Sequence, residues 1–372
     1  MCKKLEKRHI LCYNKENMSE EKTMYTQQPK KLIIINILDI LRKYSDAEHR
    51  MSQKEIADIL ENEYFMKVDR KAIKRNLMNL IDFGYSVEYS EASRINNKGE
   101  EETIYSDWYL ERDFSDAELR LIIDSLLSSK HIPAKQCKDL IEKIEGLSGK
   151  HFKSKMKHVC SLPTNVQLNH EIFFNIEILD EAIEKKVQVK FLYADFGTDK
   201  KLHPRKNSKG AESQYIVNPY QMVAANGKYY LIGNCEKYND VSHFRIDRIK
   251  KISLTENPSK PQKEVKGLED GLDLPKHMAE HIYMFSGKSE LVTMKTSIKM
   301  AGELVDWFGD GVTFREENKE DGTVKAVVKV NIDAMRYWSL QYSPYVTILS
   351  PQSLVDTIKN DLKNASSHYE KE

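Results

Sequence analysis

The sequence has few of the features that mark secreted, membrane or metal-dependent proteins. Its 372 residues include only five cysteines, which form no Cys-x-x-Cys pair and no metal-ligand spacing. Scattered thiols of this kind fit a reducing cytoplasm better than a disulfide framework. No apolar run approaches the roughly 20 residues of a membrane span, and residues 1–28 contain no signal-peptide core. We therefore expect a cytoplasmic protein without a membrane partner.

The sequence also lacks a charge excess and a recognisable catalytic motif. It has 58 Lys and Arg against 57 Asp and Glu, a net charge of +1, so any nucleic-acid footprint must be local. We find no glycine-rich phosphate loop, HExxH motif or nucleophile elbow. His277 and His281 lie four residues apart on a predicted helix, but no third metal ligand is evident and a surface pair is favoured. We expect no enzyme activity, no cofactor and no metal.

Residues 29–112 have the pattern of three short helices followed by a hairpin. Apolar residues recur at helical spacing over residues 31–44. Ser52 and Glu55 form a capping box that begins a second helix. Asp69 caps a third helix, which Gly84 ends. With the hairpin behind it, this order predicts a winged helix-turn-helix, a DNA-binding fold.

The third helix carries the predicted DNA-binding residues. With its apolar stripe turned inward, its basic side chains point outward or flank that face, where recognition helices meet base edges and phosphates. These residues are Arg70, Lys71, Lys74 and Arg75. The alternative is a solvated charged face in a protein-interaction module. The acidic residues 100–102 would repel phosphate, so we do not expect the tip of the wing to touch DNA.

The strongest local signal in the chain is the Asn226-Gly227 pair between two strand-like runs, which is typical of a β-hairpin. A third run, residues 241–249, places Arg245 and Arg248 among apolar residues. Arginines in a compact sheet are costly unless they meet an anion, so this sheet is predicted to hold a negatively charged ligand.

Residues 172–260 resemble the WYL domain of bacterial transcriptional regulators, a small Sm-like β-barrel. The family's Trp-Tyr-Leu falls on residues 229–231 and its Phe-Arg-x-Asp-Arg on residues 244–248. A literal Trp-Tyr-Leu at residues 108–110 lies in a different setting and is coincidental. The resemblance implies that Tyr193 ends the first strand near the ligand-facing surface.

We predict a ligand site from this resemblance and from side-chain chemistry. Arg245 is the first choice as anion clamp and Arg248 the second, because a guanidinium offers bidentate contacts to phosphate. Tyr193 and Tyr229 could stack a base, which suits single-stranded nucleic acid or a nucleotide. Arg205 and His243 complete the predicted set.

Alternatives stay open at several of these positions. Tyr230 is more readily explained as core than as site. Arg248 could simply pair with Asp247 or another carboxylate, and the face on which it lies depends on whether a turn begins at Asp247. His243 alone is a weak candidate for a ligand contact.

The predicted fold class is α+β multidomain: winged helix-turn-helix, helical connector, Sm/SH3-like β-barrel and a ferredoxin-like C-terminal α/β sandwich. The expected boundaries are a disordered tail, the winged helix, the connector, the WYL domain, a linker and the C-terminal extension, at 1–28, 29–112, 113–171, 172–260, 261–289 and 290–366. In the family, such an extension assists dimerisation and ligand response.

These features together predict a homodimeric, ligand-responsive transcriptional regulator. Its winged helices would bind a palindromic double-stranded DNA operator, since paired helix-turn-helix motifs read half-sites about one helical turn apart. Its WYL domain would sense a nucleic acid or nucleotide. The alternative is an accessory nucleic-acid-binding protein that modulates a defence or repair enzyme through protein contacts.

Overall fold

The structure is a computed structural model that describes residues 29–95, 99, 101–129, 131–155 and 169–370. The predicted tail, residues 1–28, lies outside the described residues. The chain mixes helices with several antiparallel sheets and divides into two compact units. Unit 1 comprises residues 1–126 and 138–160, and unit 2 comprises residues 127–137 and 161–372. Over the described ranges, every helix is too short or too polar to cross a membrane.

Unit 1 begins with three helices and an antiparallel hairpin, in the order that the sequence predicts. The elements are α1 (Ile33–Tyr44), α2 (Gln53–Tyr64), α3 (Arg70–Phe83), β1 (Val87–Ile95) and β2 (Glu101–Leu110).

Local sequence signals explain where these helices begin and end. Ser52 and Glu55 form both halves of the capping box: the Glu55 amide donates to Ser52 Oγ at 3.2 Å, and the Ser52 amide donates to Glu55 Oε2 at 2.7 Å. Asp69 accepts from the Ala72 amide at 2.9 Å and caps α3. Gly84 ends α3 with a φ of 106°, a conformation that favours glycine. The predicted caps are confirmed.

The core of unit 1 lies between the three helices and the hairpin. Ile37, Ile56 and Ile73, one from each helix, are fully buried together with Trp108 of β2. The backbones of Trp108 and Met51 exchange two hydrogen bonds of 2.8 Å, which tie the start of α2 to the hairpin. The literal Trp-Tyr-Leu at residues 108–110 therefore belongs to this core, apart from the WYL match. The connector adds three helices, α4 (Asp116–Ser128), α5 (Ala134–Glu145) and α6 (Lys150–Lys155).

Unit 2 contains a bent antiparallel sheet with one helix packed against it. Strand β3 pairs with β4, β5 and β8, and the path continues from β5 through β6 to β7. The elements are α7 (Ile172–Lys185), β3 (Val187–Phe196), β4 (Leu202–Pro204), β5 (Gln214–Ala225), β6 (Lys228–Cys235), β7 (Val241–Arg245) and β8 (Ile249–Pro258).

This sheet does not close into a barrel. Strand β7 ends after five residues, and a 3-10 turn at Ile246–Arg248 carries the chain into β8. Among the described residues no ladder joins β7 to β8, so the Sm-like barrel that the sequence predicts stays open there. The hairpin between β5 and β6 is as predicted: Asn226 and Gly227 have φ values of 51° and 69°, both positive as a type I′ turn requires.

The rest of unit 2 is a second antiparallel sheet with order β10-β11-β9-β12. Strands and helices alternate as β-α-β-β-α-β, the order on which the ferredoxin-like prediction rests. The elements are α8 (Leu274–Glu280), β9 (Ser289–Ser297), α9 (Ala301–Phe308), β10 (Thr313–Asn318), β11 (Thr323–Asn331), α10 (Ile332–Gln341), β12 (Val346–Ser350) and α11 (Gln352–Tyr369).

The segment between the two sheets packs closely on the first one. Val265, Leu268 and Met284 are buried against Tyr230 and Ile232 of β6. The stretch predicted as a linker therefore contributes a second small core on the far side of β5 and β6.

Candidate functional site

Strand β7 sorts its side chains between a core and a pocket. Its partner β6 places Tyr230 opposite Arg245, Leu231 opposite Phe244 and Ile232 opposite His243. Phe244 points into the core under α7, so His243 and Arg245 face the other side. The alternation ends at Arg245, because the 3-10 turn begins at the next residue.

Arg245 is held by a buried carboxylate. Its Nε and Nη2 donate to Asp247 at 3.1 and 2.7 Å, and Asp247 is only 1% exposed. Burial acts to lower the pKa of Arg245, but the hydrogen bonds and charge of Asp247 outweigh it and raise the pKa above its ordinary value. Arg245 is therefore a fixed positive charge with two of its donors already taken.

Arg248 keeps a donor in reserve. The turn brings it next to Asp195 of β3, to which Nη1 donates at 2.9 Å. Its partner is thus a carboxylate other than Asp247. The Nε of Arg248 is buried and has no hydrogen-bond partner among the residues that the structure describes. A buried N–H without an acceptor is costly, and a ligand oxygen would relieve it.

Arg205 lies behind this pair rather than in the pocket. It makes a bidentate contact with Asp195, at 2.6 and 3.2 Å, and its guanidinium lies 4.9 Å from the centre of the Tyr193 ring. The hydrogen bond from Arg205 is the main cause that lowers the pKa of Asp195. Asp195 therefore stays charged between two arginines.

A pocket of about 490 Å³ opens in front of these side chains. The first sheet contributes residues from the hairpin, β3, β7 and the turn, and the C-terminal part contributes an aromatic group. The lining residues are Tyr193, Asn226, Lys228, Tyr230, His243, Arg245, Arg248, Tyr283, Met284, Phe285 and Trp307. Its size lies within the range of small-ligand sites, about 300–1,000 Å³.

The two predicted stacking tyrosines have different fates. Tyr193 lines the pocket but is 6% exposed, and its hydroxyl accepts a hydrogen bond from the Arg245 amide at 3.0 Å. It orders β7 more than it offers a free ring face. Tyr229 is not among the lining residues and lies near His131, with ring centres 6.2 Å apart. Tyr230, expected in the core, is 8% exposed and also borders the pocket.

His243 belongs to a buried cluster of three histidines. Its Nε2 lies 2.8 Å from His277 Nε2, and its ring centre lies 5.0 Å from that of His281. Burial lowers the pKa of His243 well below its ordinary value, and burial likewise lowers the pKa of His277 to about 4. The cluster is therefore neutral near pH 7, and His243 offers no positive charge to an anion.

The spacing of His277 and His281 marked this cluster in the sequence, but not its third member or its burial. Both are buried, so the surface pair favoured by the sequence is wrong. His281 Nδ1 lies 2.8 Å from the Phe285 carbonyl oxygen. In the part of the chain that the structure describes, no His, Cys, Asp or Glu group is arranged to hold a metal ion.

The predicted DNA-binding residues lie along α3 in unit 1. Arg70, Lys71 and Arg75 are exposed, and among the described residues they take part in no ion pair. Lys74 is half-buried, with Nζ 3.7 Å from the centre of the Tyr105 ring on β2. Lys74 thus contacts the hairpin, while the other three side chains extend into solvent.

Comparison with known proteins identifies the first sheet of unit 2. Residues 175–254 match the family model of the WYL domain. No curated protein matches the chain.

Two solved structures show a loose likeness. The proteasome accessory factor B/C (PafBC) of Arthrobacter aurescens is 15% identical, with a TM-score of 0.28, over 95% of this chain and 51% of that one. A CRISPR Cas-related protein is 13% identical, with a TM-score of 0.34, over 91% of this chain and 86% of that one. The chain spans about half the length of the first of these proteins.

Proposed function

We propose that this chain is a transcriptional regulator whose WYL domain binds a phosphate-bearing ligand and whose helix α3 binds DNA. The observation that carries the ligand site is the buried, unpartnered Nε of Arg248 at a pocket that Arg245 also lines. Two guanidinium groups outweigh the one buried carboxylate beside them, so the pocket favours an anion. The ligand we propose is a nucleotide or the end of a single-stranded nucleic acid.

The geometry ranks the two arginines differently from the sequence. Asp247 already occupies two donors of Arg245, whereas Arg248 has a donor with no acceptor. We therefore propose Arg248 as the residue that responds most to ligand, with Arg245 as the fixed charge beside it.

The ligand site is tested by removing Arg248 and comparing a matched neighbour. Arg248→Gln in the full chain is expected to weaken binding of a 5′-phosphorylated oligonucleotide by about 10-fold or more, the effect of losing one charge-assisted contact. Arg205→Gln removes a contact to the same Asp195 but from outside the pocket, so its affinity is expected to change far less. Equal affinities in wild type and Arg248→Gln would remove Arg248 from the site.

For DNA, we propose that the exposed basic side chains of α3 enter the major groove of a palindromic operator bound by a homodimer. Three basic residues free of ion pairs are available there, within the described part of the chain. Occupancy of the pocket would alter DNA affinity only to the extent that the ligand binds one state of the dimer better than the other.

Footprinting on DNA upstream of the protein's own gene tests this proposal. We expect a protected inverted repeat, and the Lys71→Ala/Arg75→Ala double variant should lose it. Lys359→Ala/Lys363→Ala is the control, because it removes two charges at the same spacing from exposed positions of α11. The absence of sequence-specific protection at any salt concentration would favour the accessory-protein alternative instead.

A further inference from the structure

The pocket has a second wall that lies outside the WYL match. Tyr283 and Phe285 come from the segment after α8, and Trp307 comes from α9. The ring centres of Tyr283 and Trp307 are 5.3 Å apart, and those of Tyr283 and Phe285 are 5.8 Å apart. Three contacting rings therefore line one part of the pocket, while Arg245 and Arg248 line another.

Trp307 is fixed in place before any ligand arrives. Its indole N–H points to two acceptors, Glu303 Oε1 at 2.9 Å and the Tyr342 hydroxyl at 3.2 Å. The Tyr342 hydroxyl in turn donates to Glu303. Since the one polar atom of the indole is already engaged, the ring offers the pocket only aromatic surface. A preorganised ring also loses little side-chain freedom when a ligand binds.

A ligand that fits both walls needs an anionic group and a flat ring. Arginine forks suit a phosphate, and aromatic side chains stack on the faces of nucleobases. We infer that Tyr283, Phe285 and Trp307 form the base-recognition wall of the pocket, so that the ligand is a nucleobase joined to a phosphate. This inference rests on the phosphate site proposed above.

The fluorescence of Trp307 gives a direct test in the full chain. Of the three tryptophans, Trp108 and Trp338 are fully buried in the cores, and only Trp307 lines the pocket. We expect the best of the four common 5′-nucleoside monophosphates to quench the emission saturably. Ribose 5-phosphate, which has no base, should bind more weakly and leave the emission unchanged. In Trp307→Phe the quench should disappear, while calorimetry should still detect nucleotide binding because phenylalanine also stacks.

A pair of matched variants separates stacking from folding. Phe285→Leu should weaken nucleotide binding by about 5- to 150-fold, the effect of losing one stacking contact, and should leave ribose 5-phosphate binding unchanged. Phe314→Leu is the control, since Phe314 is exposed to a similar degree, 40% against 36%, but lies on β10 away from the pocket. It should change neither affinity.

The outcomes distinguish this inference from the phosphate site itself. If ribose 5-phosphate and all four nucleotides bind equally and without a quench, the aromatic wall reads no base and the inference fails, while the phosphate site stands. If none of them binds, both fail. A 5′-phosphorylated trinucleotide that binds more tightly than any mononucleotide would assign the base and phosphate to a nucleic-acid end, and the reverse order would assign them to a free nucleotide.

Discussion

Acidification is expected to loosen the contact between β7 and the segment that carries α8. The three buried imidazoles of His243, His277 and His281 hold this contact together near pH 7. The charged groups nearest to them are Glu280 and Lys329, which pair at 2.9 Å. Because Glu280 is already neutralised by Lys329, it compensates only in part for protons that enter the cluster.

The magnitude follows from the pKa of His277. Burial and His281 lower it from 6.5 to about 4 in the folded protein. Between these values the unfolded chain binds more protons than the folded one, so stability is complete above pH 6.5 and falls as the pH drops towards 4. A shift of this size corresponds to about 3 kcal/mol. The pKa values of His243 and His281 are lowered too, and the three groups titrate together.

Hydrogen exchange of the full chain at pH 7 and pH 5, corrected for the intrinsic rate, measures the effect. Peptides covering residues 241–245 and 274–284 should lose protection at pH 5, while those covering 352–369 should not. His277→Gln should flatten this pH dependence, and His203→Gln, an exposed histidine on β4, should not. Equal protection of the cluster peptides at both pH values in the wild type would refute the reasoning.

Three further predictions concern the scaffold and the DNA-binding face. Gly233→Ala should destabilise unit 2 by about 1–3 kcal/mol, because a Cβ there would lie 2.7 Å from the Asn218 carbonyl oxygen; an unchanged melting temperature would contradict this. Ser52→Ala should cost unit 1 about 1 kcal/mol in urea unfolding, since it removes the cap of α2; a change below a few tenths would argue against the capping box. The Lys71→Ala/Arg75→Ala variant should lower the slope of log affinity against log salt by about 2, one for each lost phosphate contact; an unchanged slope would place these side chains away from the phosphates.

Local features of the fold were predictable because short stretches of sequence determine them. The capping box at Ser52, the cap at Asp69 and the Asn226-Gly227 turn all act within a few residues, and each occurs where predicted. The order of strands and helices along the chain followed from periodicity for the same reason.

The composition of the pocket was only partly predictable. Arg245 and Arg248 lie on the marked run of residues 241–249, but the partner of Arg248 is Asp195, 53 positions away in sequence. The aromatic wall with Trp307 comes from a different sheet altogether. No short-range pattern links such positions, because tertiary packing alone brings them together.

Two errors of the prediction have a common cause. The regular alternation of β7 ends at Arg245, so the sheet stays open where a barrel was expected and Arg248 turns towards Asp195. His277 and His281 are buried because His243 and the packed segment after β8 cover them, which their own sequence neighbourhood does not reveal.

The central claim is that occupancy of the arginine pocket changes the affinity of α3 for DNA. Fluorescence anisotropy of labelled operator DNA, titrated with the full chain with and without saturating 5′-phosphorylated oligonucleotide, tests it most directly. The account predicts a change in operator affinity of about 5-fold or more, the usual size of allosteric coupling, and its loss in Arg248→Gln. The same affinity with and without the oligonucleotide in the wild type, at concentrations that fill the pocket, would contradict it.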